Sequence, residues 1–306
     1  MWSGLVLWIA LASTAYLGTT VGALAISWSF HAGVALIPLF LVDFVWGHRR
    51  RATTSFVVMV VAFAPWLPTM WQARAGSPAK GQPTFSALVA NTFYGSGRDE
   101  ALTADIEATN AGLVALLEPP NSLPQHMVAT GRWTVLGAHT PGEKWNIALM
   151  VQSALIAPGG PLVVTSTQTL ARPYTDSVTI EADLLWQGRA LHVSAVHAPA
   201  PTDPDQQAQR LRLLPDLAER AGGRPLLLLA DLNATMASPL WRTMMQQGLR
   251  RPTGPTPRTW PSWFGPAGLS IDHALVTEQL GAEPAQPVWL TSSDHRGVLV
   301  KVGWAR

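Results

Sequence analysis

From Leu5 to Trp71 the chain carries only four charged side chains, Asp43 and the run Arg49-Arg50-Arg51. So long an apolar stretch is costly to leave in water, and its length divides into helices of membrane-crossing size. A hydrocarbon core of roughly 30 Å takes about 20 helical residues. Leu5–Ala25 makes one such span and Phe30–Trp46 a second, with Ser27-Trp28-Ser29 as the turn between them. Thr54–Trp71 makes a third, ending near Pro65 and Pro68. A cleaved signal peptide is the alternative, but its apolar region covers only about 7–15 residues. Trp28, Trp46, Trp66 and Trp71 fall near span ends, where indole rings favour the interface.

Loop charge sets the orientation. The cluster His48-Arg49-Arg50-Arg51 joins the second and third spans and is expected in the cytoplasm. The third span then runs outward, so everything after it is expected outside the cytoplasm. Asp43 lies close enough to a span end to reach the interface.

The remainder has a different character. The 306 residues are 48% hydrophobic and 13% charged, and the apolar excess sits at the front. The first 76 residues hold four arginines against one aspartate, whereas the rest holds 17 basic and 18 acidic residues. A soluble part without positive excess argues against a large nucleic-acid footprint. There is no cysteine, which excludes a disulfide scaffold, zinc–thiolate sites and a cysteine nucleophile. Ala75–Pro83 is rich in Gly, Pro and small residues and marks a boundary. The expected organisation is an anchor over 1–74, a linker over 75–83 and a soluble domain over 84–306.

Within that domain, strands are expected at Phe85–Asn91, Gly112–Glu118, Trp133–Ala138, Trp145–Met150 and Leu162–Thr165. Ser177–Trp186 and Leu191–His197 alternate around Gln187-Gly188, and Pro225–Ala230, Ser270–Val276 and Gly297–Val302 follow. Glu100–Asn110 and Asp205–Ala221 read as helices, the second with Leu211, Leu214 and Leu217 on one stripe. Many strands with a few interspersed helices predict two packed sheets with helices outside.

Several of these strands end in an acid, an amide or a histidine: Asn91, Glu118, His197, Asp231 with Asn233, Asp272 with His273, and Asp294 with His295. Strand ends converge at a sheet edge, where sites are built. Each also has a plain structural reading. Glu118 reads as a solvated strand-end acid, His197 as a half-buried loop histidine, and Asp272 as a surface acid. Asp231 with Asn233, and Asp294 with His295, read as turn-capping pairs. His273 reads as a packing residue. His126, His139 and His192 read as ordinary surface or strand residues.

The order and wording of these pieces resemble the endonuclease/exonuclease/phosphatase superfamily, the metal-dependent phosphoesterases related to DNase I. The resemblance runs from about Phe85 to Val302. It rests on Asn91 after a strand, L-L-E-P at Leu116–Pro119, V-S-A-V-H at Val193–His197 and L-A-D-L-N-A-T at Leu229–Thr235. T-W-P, S-I-D-H-A-L at Ser270–Leu275 and S-D-H at Ser293–His295 complete it. Ala230 and Leu232 depart from the family's usual G-D-F-N. The resemblance implies an α/β fold, a four-layer α/β/β/α sandwich, here preceded by a transmembrane helical anchor.

It also implies roles. Glu118 is the principal metal ligand with Asn91 beside it, and Asp294 supports the metal side. Asp231 accepts the proton of an attacking water, and Asn233 orients water or a phosphoryl oxygen. His197 and His295 contact the phosphate, with Asp272 holding the tautomer of His295. An acidic cluster without cysteine is a hard-oxygen environment, suited to Mg²⁺ or Mn²⁺.

Trp260, Trp263 and Phe264 form an aromatic loop just before Asp272. Trp260 is expected to pack under the sandwich, whereas Trp263 and Phe264 suit a lipid interface or an apolar-tail groove. With the anchor, this points to a phosphoester or pyrophosphate that is lipid-linked or belongs to the cell envelope. The architecture is similar to that of small membrane-anchored bacterial members, including the type linked with teicoplanin resistance. The expected partners are therefore the bilayer and a phosphorylated small-molecule or lipid substrate. Two other classes stay open: an extracytoplasmic nuclease, and a non-catalytic envelope binding module.

Overall fold

The computed structural model describes residues 18–94, 97–140, 145–220 and 223–306. Two apolar helices open it. α1 (Thr20–Val45) is capped by Thr19, whose side chain accepts the amide of Gly22. α2 (Arg49–Phe63) runs into a 3₁₀ segment, Ala64–Trp71, where Pro65 and Pro68 end α-helical bonding. The two helices pack as a hairpin, closely enough that a Cβ on Gly33 would stand 2.8 Å from the Phe63 ring. α1, and α2 together with its 3₁₀ extension to Trp71, are each long and apolar enough to cross a membrane.

The expected first span, Leu5–Ala25, falls largely outside the described residues. The turn expected at Ser27-Trp28-Ser29 does not form, and α1 runs straight through it. Both serines are buried, and their hydroxyls bond back to the carbonyls of Ala23 and Ile26. A serine that satisfies itself on the preceding turn need not break a helix.

Among the described residues twelve strands follow, in two sheets. The first has the order β10 (Leu280–Ala282), β12 (Gly297–Trp304), β1 (Thr84–Asn91), β2 (Leu113–Leu117), β4 (Ile147–Gln152), β3 (Trp133–His139), with β11 (Gln286–Val288) also paired to β12. The second runs β5 (Leu162–Arg172), β6 (Thr175–Trp186), β7 (Arg189–His197), β8 (Leu226–Asp231), β9 (Asp272–Val276). Helices α3 (Asp99–Ala108) and α4 (Leu123–Ala129) cover the outer face of the first sheet. After the single turn α5 (Ser153–Ile156), α6 (Pro204–Arg220) and α7 (Pro239–Gln246) cover the second. This is the four-layer α/β/β/α sandwich.

The layering explains why the central strands are apolar throughout. Ala87 and Val89 of β1 face the inter-sheet core while Leu88 and Ala90 face α3 and α4. In β8, Leu227 and Leu229 point inward and Leu226, Leu228 and Ala230 outward. Strands covered on both faces lose the polar half of the period-two pattern. In α6 the buried stripe is Leu213, Leu214 and Leu217. Leu211, expected on that stripe, is only partly buried and meets Gly18 instead.

The segment expected as a linker is bonded along much of its length. The Ala75 amide donates to the Arg251 carbonyl and the Ala79 amide to the Trp304 carbonyl, while Gly76 accepts from Ala282.

Strand direction builds the functional edge. β1 and β2 run parallel, as do β7 and β8, so four C-terminal ends lie at one edge. β9 and β12 run antiparallel to their neighbours, which brings their N-terminal ends to the same place. Leu229 is fully buried in the core beneath that edge. Leu229→Ala should lower unfolding stability by about 2–5 kcal/mol, read as a reduced urea midpoint of the purified full chain.

Candidate active site

Each residue at this edge sits where a strand stops or starts. Asn91 ends β1, Glu118 follows β2, His197 ends β7 and Asp231 ends β8. Asp272 opens β9, directly opposite Asp231 in the strand register. His295 lies two residues before β12. All six are buried, although five are ionisable, and a sixth ionisable group, Asp294, lines the same cavity.

The two sheets are joined here by polar bonds. The Asn91 amide donates to Glu118 Oε1 at 3.4 Å and to Asp231 Oδ2 at 3.1 Å. His197 Nε2 stands 3.2 Å from Glu118 Oε1 and 3.9 Å from Asp231 Oδ2. The Asn233 backbone amide donates to Asp231 Oδ1 at 2.8 Å, and its side-chain amide donates to the Ala198 carbonyl. His295 Nδ1 lies 2.8 Å from Asp272 Oδ2, which leaves Nε2 as the nitrogen available to the cavity. Glu118 and Asn233 both adopt left-handed backbone angles, with φ of 51° and 47°. Asn tolerates that region, but for Glu it is uncommon and costs of order 1 kcal/mol.

The electrostatics follow from burial and crowding. Burial pushes the Glu118 carboxyl up, partly offset by His295 and by hydrogen bonds from Asn91 and Tyr94. Asp231 is held well above the ordinary carboxylate range, first by desolvation and then by the neighbouring Asp272 charge. For His295 burial acts downward, but Asp272, Asp231 and Asp294 outweigh it and raise the imidazole to about 10. The histidine is thus a cation held by a ring of carboxylates.

The donor set fits a hard divalent cation. Asp272 Oδ1 and Asp294 Oδ1 are buried without a hydrogen-bond partner. No Lys or Arg lines the cavity among the described residues. Asp231, Asp272 and His295 each offer an atom within 4.8 Å of the others.

Of the eight residues expected at a site, all lie at this edge: six line one cavity, and Asn91 and Asp272 bond to residues that do. Trp260 is not merely packed under the sandwich. Its indole N–H donates to Asp294 Oδ2 at 2.9 Å and its ring lines the cavity. Tyr94 and Trp145 also line the cavity, and the Trp145 ring stands 5.5 Å from that of His197. No strand-end pattern marks either residue.

Arg210 is the residue with a missed signal. It is buried in α6 and donates to the Asn233 carbonyl and to Gln207 Oε1. Burial lowers its pKa to about 10 despite the Asp231 charge. Arg210 is spaced i, i+3, i+4, i+7 with Leu213, Leu214 and Leu217, so a charged residue on the apolar stripe was visible in the sequence. Arg250 and Arg251 do not serve the cavity. Arg250 pairs with Glu278, and the buried Arg251 donates to the Thr69 carbonyl.

The sequence matches the family model described as the Endonuclease/Exonuclease/phosphatase family over residues 8–295. In structure the chain is similar to D. rerio TDP2 complexed with single strand DNA product, at 12% identity and a TM-score of 0.60, covering 72% of this chain and 99% of that one. It is similar to the human Nocturnin catalytic domain with bound sulfate, at 17% identity and 0.56, covering 73% and 94%. It is also similar to a mannosyl-6-phosphatase of Bacteroides thetaiotaomicron, at 12% and 0.54, covering 72% and 100%. At these identities the likeness is one of fold. No curated protein matches the chain by sequence.

His273, next to Asp272, faces away from the edge. Its Nε2 meets the Ala234 carbonyl at 3.0 Å and its ring packs on Trp241. Desolvation lowers its pKa to about 4, against about 6.5 in an unfolded chain. Above pH ~6.5 it is neutral in both states and costs nothing. As the pH falls from there toward 4, the unfolded chain takes up a proton that the folded chain refuses. Stability should therefore fall by about 3 kcal/mol across that window. In denaturant titrations at stepped pH, His273→Gln should lack this part of the slope.

Proposed function

We propose that the chain, which belongs to the endonuclease/exonuclease/phosphatase family of metal-dependent ester hydrolases, is a membrane-anchored, extracytoplasmic, Mg²⁺- or Mn²⁺-dependent phosphoesterase, and that its substrate is a lipid-linked or cell-envelope phosphoester or pyrophosphate. The observation that carries this reading is the cavity above the carboxylate–histidine edge. It is about 300 Å³, it is free of Lys and Arg among the described residues, and one of its walls belongs to an apolar helix of membrane-crossing length. A polynucleotide site would instead line its approach with cations.

Glu118, with Asn91 beside it and Asp294 across the cavity, would hold the cation. A bound divalent ion supplies charge neutralisation on the phosphoryl oxygens and polarises the scissile ester. The chain's own residues do the rest. Asp231, whose carboxyl is held above the ordinary range by burial and the Asp272 charge, accepts the proton of the attacking water. Asn233 has its amide N–H tied to Ala198 and keeps its carbonyl oxygen to orient that water. His197 and the cationic His295 donate to phosphoryl oxygens, where charge builds during the transfer. Asp272 holds the His295 ring through Nδ1 and so leaves the Nε2 N–H to face the phosphate.

Phosphate release should vanish in EDTA and return with Mg²⁺ or Mn²⁺, and Glu118→Gln should remove most of it while the fold persists. A variant fully active in excess chelator would overturn the assignment. His295→Ala should lower kcat by about 10²–10⁴-fold. Asp272→Asn should cost less, and the double variant little more than His295→Ala alone, because the pair acts as a unit. Additive losses would show that the two act separately.

The orientation is tested in cells. With the Arg49–Arg51 loop in the cytoplasm, a reporter fused after Arg306 should be active only outside it. Protease added to spheroplasts should digest the domain, and protection there would reverse the orientation.

A further inference from the structure

The apolar hairpin is docked on the catalytic domain over half its length. α1 has 26 residues, about 39 Å at the helical rise. Ile26 packs with Trp66 and Ala237. The Arg258 guanidinium lies 5.6 Å from the Phe30 ring and 5.7 Å from that of Trp66. His31 Nε2 meets the carbonyl of Ala267. From Val34 to Trp46 most apolar side chains of the helix are exposed instead.

That exposed stretch of 13 residues spans only about 20 Å, against a hydrocarbon core of roughly 30 Å. A hairpin this short crosses only if the domain face around its base sinks into the interface. The face is dressed for that position. Trp263 is 67% exposed, Trp289 57%, and Phe264 and Phe93 48% each. Trp28 meets Phe264 edge-on at 6.3 Å. Aromatic rings of this kind favour the headgroup layer.

The cavity opens at the same place. Its floor is Glu118, Asp231 and His295, and α1 contributes Leu24, Ser27 and Trp28 to its wall. Leu269 and Ile271 add further apolar lining. Such a space suits a ligand with one anionic end and one apolar end.

We infer that α1 is a wall of the active site as well as an anchor, and that Trp28 and Leu24 select phosphoesters whose esterifying group is a hydrocarbon chain. The chain lies along these two side chains and leaves toward the bilayer. This rests on the proposed phosphoester chemistry at the cavity floor.

The test uses the full-length protein in detergent with Mg²⁺ and two probes sharing one scissile group, farnesyl pyrophosphate and dimethylallyl pyrophosphate. The readout is phosphate release. The wild type should prefer the C15 probe by at least about tenfold in kcat/KM, in line with the discrimination an apolar pocket draws from extra methylenes. Trp28→Ala should reduce that preference at least about fivefold, mainly through KM of the longer probe. Leu24→Ser should act in the same direction, and since Leu24 is 42% exposed it is little needed for folding. Trp46→Ala, at the far end of the helix, should leave the preference as it is. Equal activity on both probes would overturn the inference, as would no activity on either or a preference untouched by both wall variants. Loss of activity on the C5 probe in Glu118→Gln tests the catalytic reading separately, and its failure would not resemble a lost chain-length preference.

Discussion

Asp231 and Asp272 occupy directly opposed positions on β8 and β9, and both are buried. Two carboxylates so placed repel each other, and neither has water to screen the charge. The arrangement persists because His295 sits against Asp272 and within 3.8 Å of Asp231. Asn91 and the Asn233 amide take up further oxygen lone pairs of Asp231. The rest of the edge serves this balance. Arg210 holds the backbone of the Asn233 turn, and Thr259 Oγ1 accepts the backbone amide of Asp272. A site with this much stored electrostatic cost is a poor structural element and a good place for a cation and a phosphate.

Much of this was legible in the sequence because its signal is local. An apolar strand with a single polar residue at its end tells which residues meet at a sheet edge once the strands are ordered, and Asn91, Glu118, His197 and Asp231 follow that rule. α7 and β10 were not foreseen. α7 is eight residues with a proline at its start, and β10 is only three, so neither is long enough for a period to declare itself. His192 escaped for another reason. It looks like any strand residue, yet it is buried between Glu181 and Asp183, partners that come from the adjacent strand.

The long-range part was the least legible. Nothing in Ser27-Trp28-Ser29 reveals that Ser29 receives the indole N–H of Trp66 or that the helix continues past it. Nor does R-T-W-P announce that Trp260 steadies Asp294. Such contacts join segments more than thirty residues apart, and only the order of sheets and helices brings them together. The aromatic loop is an intermediate case. Trp263 and Phe264 stand exposed, as their Ser, Gly and Pro neighbours suggested, but the pairing of Phe264 with Trp28 required the fold.

The junction between hairpin and sandwich leaves little slack. Thr69 accepts from Arg251, Gln72 from Trp241, and Gly76 from Ala282, while Ala75 and Ala79 donate to the sheet edge. A domain on a flexible tether sweeps a hemisphere above its membrane and samples solutes from the bulk. With the hairpin in a bilayer, as proposed above, one riveted at so many successive points would keep a constant height and tilt, and its search would be confined to two dimensions. Encounter frequency then scales with the surface density of a ligand within the same leaflet. Thinning or thickening of the bilayer would be felt at the cavity mouth directly, as a change in depth.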